Sequence, residues 1–405
     1  MKQFTSLFCA ILAATAAQAV ELPVVTDVTL SQDSSTRVVT VNYTLSGTNA
    51  IITFDALTNG VSIGGENIHY VVGDVNKLVQ PGQRALYWQA RRSWPDQKVQ
   101  NAFQARVTAW SESSPPDYMV VDLARPGTVN WYESAGTLPN GGLTNDIYRT
   151  EKLVLRRIHA SGESYWMGSG GTDANATPHE VSLTKDFYIG VFEYTCGQRR
   201  LIRPANARDI TDEVATLPAG AINRDYVVGT EAGMRTVQAD VDQYVWPDHG
   251  HAVSPDSQLG LLRTLAGGKF AFDLPTEAQW EFAARAGTTT KMYNGDGGVD
   301  AVAWYSGNAG GVRHRVGEKE PNAWGLYDMY GNVVEVVLDW YTADITSFTL
   351  DPAGPTQANS TGKVVARGGS WAWDEQKTCS TYRDYQNPYG EYGSARGARI
   401  CWTIE

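Results

Sequence analysis

The sequence predicts an α+β chain: an N-terminal β-sandwich, then a mixed α/β domain with much irregular structure. Three observations predict it. Apolar and polar residues alternate at period two in several short segments before residue 124, as half-buried strands require. One segment, residues 275–286, has helix start and stop signals at its two ends. Beyond it, periodicity fades and Gly, Asn, Asp and Trp dominate, in a chain with 40 Gly and 13 Trp among 405 residues.

That length suits two or three domains. An apolar share of 42% supplies real cores, and 19% charged residues excludes a disordered polymer. The net charge is −11 and no basic cluster stands out, which argues against a nucleic-acid partner.

Residues 1–19 have the layout of a signal peptide. Lys2 gives the positive start, residues 7–16 the apolar run, and Ala17-Gln18-Ala19 a small-x-small cleavage site. The run is too short to span a bilayer. Phe8 precedes Cys9, where a lipidation signal has a small residue. No other stretch is long and apolar enough to cross a membrane, so the expectation is a secreted or periplasmic protein, cut near Ala19.

Residues 20–124 are expected to form the sandwich. Val39, Val41, Tyr43 and Leu45 alternate with Thr40, Asn42 and Thr44, and Phe103, Ala105, Val107 and Ala109 repeat the pattern. Residues 86–88 and 118–121 add strand candidates, punctuated by Gly47, Asn59-Gly60, Gly64-Gly65 and Pro81-Gly82. Short strands at this spacing suggest an immunoglobulin- or fibronectin-like architecture, without its Cys–Trp–Cys signature. Residues 125–150, rich in Gly, Pro, Asn and Thr, are expected to be a linker, and 151–405 a second domain.

In the second domain the helix is the best-marked element. Thr276 and Gln279 make a capping box, and Glu277 sits where the helix dipole favours a carboxylate. Glu281 and Arg285 are an i,i+4 pair, and Gly287 is a natural stop. Trp280, Ala283 and Ala284 supply the buried stripe. Cys196, Cys379 and Cys401 remain once the leader is removed, an odd number, with Cys379 and Cys401 a candidate disulfide.

Several segments, in order, carry a resemblance. They are DLPTEAQWEFAARAG at 273–287, PNAWGLYDMYGNVVEVVLDWY at 321–341, and ARGGSWAWDEQ at 366–376 with GARICW at 397–402. YWMGS at 165–169 and PHEVSLTKDFYIGVFEYT at 178–195 precede them. Over residues 151–405 the chain resembles the formylglycine-generating enzyme, or sulfatase-modifying factor, family. The resemblance implies a C-type-lectin-like fold.

It also implies a chemistry to look for. The family's oxidase converts a sulfatase cysteine to formylglycine with two cysteines that bind copper(I), a soft ion suited to thiolates. Here Trp373 stands where the first cysteine would be expected, and the second has no clear counterpart; Cys379 is the nearest thiol. Val334-Glu335-Val336 replaces the family's Trp-Glu-Trp, and Gly397-Ala398-Arg399 its Gly-Phe-Arg. The iron-dependent branch needs three histidines on a helical domain, and His249-Gly250-His251 is the sole close pair.

The resemblance further implies calcium. It assigns side-chain oxygens to Asp328 and Glu335 and backbone carbonyls to Gly331 and Val333, with a second site starting at Asn308. The competing reading of that segment is a Gly-Asn turn with Glu335 in a salt bridge. Ser370, Trp371, Trp373 and Arg383, with Tyr382, Tyr385 and Tyr389, fall where the family binds substrate. Two functions follow as expectations. One is an exported, calcium-stabilised binding or scaffold protein that recognises a peptide or glycan. The alternative is an active oxidase that uses Cys379 and copper(I).

Overall fold

A computed structural model describes residues 22–95, 103–169, 176–204, 211–220, 253–295, 297–355, 360–388 and 393–405. The expected signal peptide, His249, His251 and Tyr389 lie outside the described residues.

The first described residues form two antiparallel sheets that share one core. In the first, Val24–Gln32 pairs Val38–Ser46, which pairs Gly82–Gln89, which pairs Val71–Gly73. In the second, Ala50–Thr58 pairs Val61–Ser62, Leu78–Val79 and Phe103–Trp110. The alternating residues Val39, Val41, Tyr43 and Leu45 all point into the core, against Ile52, Phe54, Leu86 and Trp88. Trp88, fully buried, satisfies its indole N–H on Ser93 Oγ at 2.7 Å.

The expected boundary at 124 and linker at 125–150 are corrected. Tyr118–Asp122 joins neither of these two sheets. It lies in a five-stranded antiparallel sheet, in the order Val129–Tyr132, Tyr118–Asp122, Lys152–Ile158, Phe187–Gly190, Cys401–Thr403. The supposed linker thus supplies a strand, followed by short 3₁₀ turns at Ala135–Thr137 and Gly142–Thr144 and the helical turn Ile147–Thr150. Every residue of Tyr118–Asp122 is buried, so this strand shows no alternation that could say which sheet it belongs to. The two parts are also bonded. Thr53 Oγ1 donates to Glu133 at 2.6 Å, and Arg106 bridges Asp55 and Glu133 at 2.8 and 3.2 Å.

The helix runs Glu277–Arg285, with both halves of the Thr276–Gln279 capping box formed. Ala286 adopts φ 48° and Gly287 φ 85°, and this left-handed pair ends it. All nine helical residues are buried, the charged ones included. The helix packs on a four-stranded sheet ordered Asp384–Gln386, Val364–Arg367, Val334–Trp340, Arg396–Ala398, whose last strand pairs in parallel. Among the described residues no helix is long and apolar enough to cross a membrane.

Candidate functional site

The helix and the sheet beneath it trap a charge network. Arg367 Nη1 donates to Glu277 at 3.0 Å, and its Nη2 donates to Glu281 and to the Ser380 carbonyl. Arg383 grips both oxygens of Glu277, at 2.7 and 2.9 Å. Arg285 meets Glu281 at 2.7 and 2.8 Å, so the expected i,i+4 pair forms, but inside the protein. Burial pushes the Glu277 carboxyl up, but Arg383 and Arg367 outweigh it and hold the group below the usual carboxylate range. Asp339, which accepts from the Glu277 backbone N–H at 2.6 Å, is raised by burial and by the Glu277 charge.

Two residues of the expected binding face, Ser370 and Arg383, are buried in this arrangement. Arg383 is 2% exposed and spends its guanidinium on Glu277 and the Thr342 carbonyl. Ser370 is fully buried, and its hydroxyl accepts from the Ala372 N–H at 3.4 Å. Both side chains are buried and hydrogen-bonded within the protein.

The second constellation surrounds the Gly331-Asn332 turn. Asp328, Gly331 and Asn332 have φ of 53°, 77° and 50°. A Cβ on Gly331 would sit 2.2 Å from the Trp304 carbonyl oxygen, so only glycine fits. Asn332 donates from Nδ2 to Glu193 at 2.7 Å and accepts the His314 N–H at 2.9 Å. Val333 N–H donates to the other Glu193 oxygen at 3.0 Å. Glu193 is a structural residue that the sequence reading missed. Its signal was a lone carboxylate in the apolar, aromatic run Val191, Phe192, Glu193, Tyr194.

Glu335 and Arg399 form the centre of this constellation. Arg399 Nη2 donates to Glu335 Oε1 at 2.7 Å, and its Nε reaches both oxygens at 3.1 Å. Trp280 Nε1 donates to Glu335 Oε2 at 2.7 Å. Glu193 is pushed well above the usual range by burial, with Asp328 and Glu335 adding to it. Asp328 is raised by burial to about 6, although the Gly317 N–H, at 2.6 Å, and Arg399 pull it down.

These residues do not fit calcium as arranged. The ion takes six to eight oxygens. Both Glu335 oxygens are engaged by Arg399 and Trp280, which is the salt-bridge reading of the turn. The one free carboxylate oxygen in the proposed set is Asp328 Oδ1, buried and without a partner. Asn308 uses its side chain on the Tyr305 N–H, Asp300 and the Ala303 carbonyl. Among the described residues no cluster of three His, Cys, Asp or Glu could hold a metal ion.

Nor do the thiols fit copper(I). Cys196, Cys379 and Cys401 are all buried and free. Cys379 Sγ lies 3.5 Å from Thr381 Oγ1 and donates to the Gln376 carbonyl at 3.7 Å. Cys401, on a strand against the helix, points at Gln279 Oε1, 3.8 Å away. The candidate Cys379–Cys401 disulfide is therefore not formed, because loop and strand aim the two thiols at different partners.

An aromatic face remains. Trp304 and Trp371 both bond the backbone of Asn332: the Trp304 carbonyl accepts its N–H and the Trp371 N–H donates to its carbonyl, each at 2.8 Å. Each indole Nε1 is buried and has no partner among the described residues. Trp304 stacks on His314 with centroids 3.7 Å apart, and Lys319 Nζ stands 3.9 Å from the Trp304 ring centre. Trp373 meets Tyr382 edge-on at 6.0 Å, and its carbonyl accepts the Ser306 N–H at 2.9 Å. Trp371, Trp373 and Tyr382 are half-buried, whereas Tyr385 is 51% exposed and packs on Tyr341 instead. Such a face can stack on a ring or chain, and either indole would have to turn outward before its N–H could donate to an acceptor oxygen.

Known proteins share this domain. A sulfatase-modifying factor enzyme 1-like domain matches residues 149–404. Chaperone protein LppX of Paenibacillus barcinonensis is 26% identical over 210 residues, 46% of this chain and 69% of that protein. The formylglycine-generating enzyme of Streptomyces coelicolor is 35% identical over 127 residues, 27% of this chain, and the match spans only 39% of the enzyme. Among solved structures, Treponema denticola variable protein 1 matches at TM-score 0.46 and 26% identity, covering 62% of this chain and 95% of that one.

Proposed function

This chain belongs to the sulfatase-modifying factor family, and from that premise we propose that it is a binding member and not an oxidase. It recognises a peptide or glycan through the face of Trp304, Trp371, Trp373 and Tyr382. One observation carries the reading: two buried indole N–H groups on either side of one turn have no acceptor among the described residues. A buried donor left unpaired costs about 1–3 kcal/mol, and a ligand oxygen that met the N–H after the ring turned outward would offset that cost. Among the described residues Cys196, Cys379 and Cys401 are each free and contact different non-sulfur partners, which supports the same reading. So does the similarity to a protein named a chaperone. We further propose that the N-terminal sandwich is immunoglobulin-like and that residues 1–19 direct export. In place of calcium, Arg399 supplies the positive charge at Glu335.

Peptide and glycan arrays probed with the mature protein test the proposal. The expected result is binding to members of one array that Trp371→Ala abolishes. Binding to neither, or binding indifferent to Trp371→Ala, overturns it. The oxidase alternative is tested with copper and a Cys-x-Pro-x-Arg peptide. Copper-dependent aldehyde, lost in Cys379→Ala, would replace the binding reading with the catalytic one.

A further inference from the structure

A cleft of ≈ 470 Å³ runs between the sandwich and the second domain, and none of its lining residues belongs to the Trp371 face. Its volume falls in the range of small-molecule sites, and domain interfaces are where such sites concentrate. Ile51 and Leu78 line it from the sandwich, and Trp131, Phe270 and Trp402 from the other side. The three rings hold one another in place. Trp131 meets Phe270 at 6.0 Å and Trp402 at 6.3 Å, Phe270 meets Trp402 at 5.0 Å, and Trp402 stacks on Tyr188 at 5.4 Å. Trp131 is 5% exposed and anchored in the core, while Phe270 and Trp402 are half-buried where they meet the cleft.

The rim decides what kind of guest fits. Lys77 and Lys269 supply two positive charges, and Glu112 and Glu405 supply two negative ones, all exposed. Both signs are present on the rim and Lys77 is already paired with Asp74 at 3.5 Å, so the rim offers hydrogen-bond donors and acceptors and not a single-sign field for an anion or a cation. A purely apolar guest would strip water from these groups without replacing it. A neutral sugar meets both demands. Its C–H face stacks on aromatic rings, and its hydroxyls donate to carboxylates and accept from ammonium groups. We propose that this interdomain cleft binds a neutral oligosaccharide, at a site separate from the Trp371 face.

Isothermal titration with maltotetraose, cellotetraose and chitotetraose tests the proposal. At least one is expected to bind with a Kd in roughly the micromolar-to-millimolar range. Trp402→Ala is expected to weaken that binding at least about tenfold. Because Trp402 also packs on Tyr188, the exposed rim provides variants that spare the fold: Glu112→Gln and Lys269→Met should each cost about threefold. Trp371→Ala should leave sugar binding unchanged, which separates this site from the proposed face. Failure of all three sugars to bind overturns the proposal. So does binding that survives Trp402→Ala and both rim variants, or uptake of the zwitterionic dipeptide Gly-Phe in their place.

Discussion

Arg399 holds Glu335 through contacts at 2.7 to 3.1 Å, with the arginine fully buried and the glutamate 1% exposed. This pair occupies the position where calcium was expected, and it binds the Gly331-Asn332 turn to the sheet. A buried charge whose partner is removed typically costs about 3–5 kcal/mol. Arg399→Met is therefore expected to lower the urea midpoint by a loss of that order. The double variant Arg399→Met with Glu335→Met should recover part of it, since no charge is left alone. Chelator should leave the wild-type melting temperature unchanged. A clear downward shift on chelation, absent in Glu335→Ala, would restore calcium to the turn.

The pH dependence of stability should carry two opposed signs. Asp328 is raised from 3.8 to about 6, so the folded protein binds this proton more tightly than the unfolded chain. Its contribution is fully present below about pH 4 and is lost as pH rises through 6. Glu277 is lowered, so its contribution is present above the unfolded carboxylate value and is lost as pH falls through the lowered one. Asp328→Asn should flatten the melting-temperature profile between about pH 4 and 6 while leaving the acid limb in place. An unchanged profile would show that Asp328 does not titrate in this window.

The indole donors predict an unusual pairing of effects. Trp304→Phe removes the unpartnered N–H but keeps a ring over His314. Ligand affinity on the aromatic face should fall by about 1–3 kcal/mol, while unfolding stability stays within about 1 kcal/mol of wild type. Equal losses in both measurements would make Trp304 a packing residue.

The thiols should be silent until the protein unfolds. Cys196, Cys379 and Cys401 are buried and unpaired, and burial, with Asp273, keeps the Cys401 thiol well above its ordinary range. Ellman's reagent should label the native mature chain slowly and all three thiols in denaturant. Mass measured without reductant should equal the fully reduced value. Rapid labelling of Cys379 in the native state would reopen the copper reading.

Local signals in the sequence were sufficient where the interaction is local. The Thr276–Gln279 capping box forms as read, because its partners are three residues apart and no other element needs to intervene. The strand Val38–Ser46 was legible for the same reason, since one wet face and one buried face leave a period of two. The family motifs were legible as strings, and the matching domain at residues 149–404 agrees with them.

Partners far apart in the chain were decided only by tertiary structure. Arg383 sits among exposed-looking tyrosines in sequence, yet Glu277, 106 residues away, draws it into the core. Tyr118–Asp122 is buried on both faces, so it could be placed in a sheet only by seeing its neighbours. Glu335 could have faced a cation or an arginine, and the return of the chain at Arg399 made it the arginine. By itself the sequence determined the helix, the alternating strands and the family. The fold decided which charges face one another, because the energy of a buried charge depends on its spatial partners and not on its neighbours along the chain.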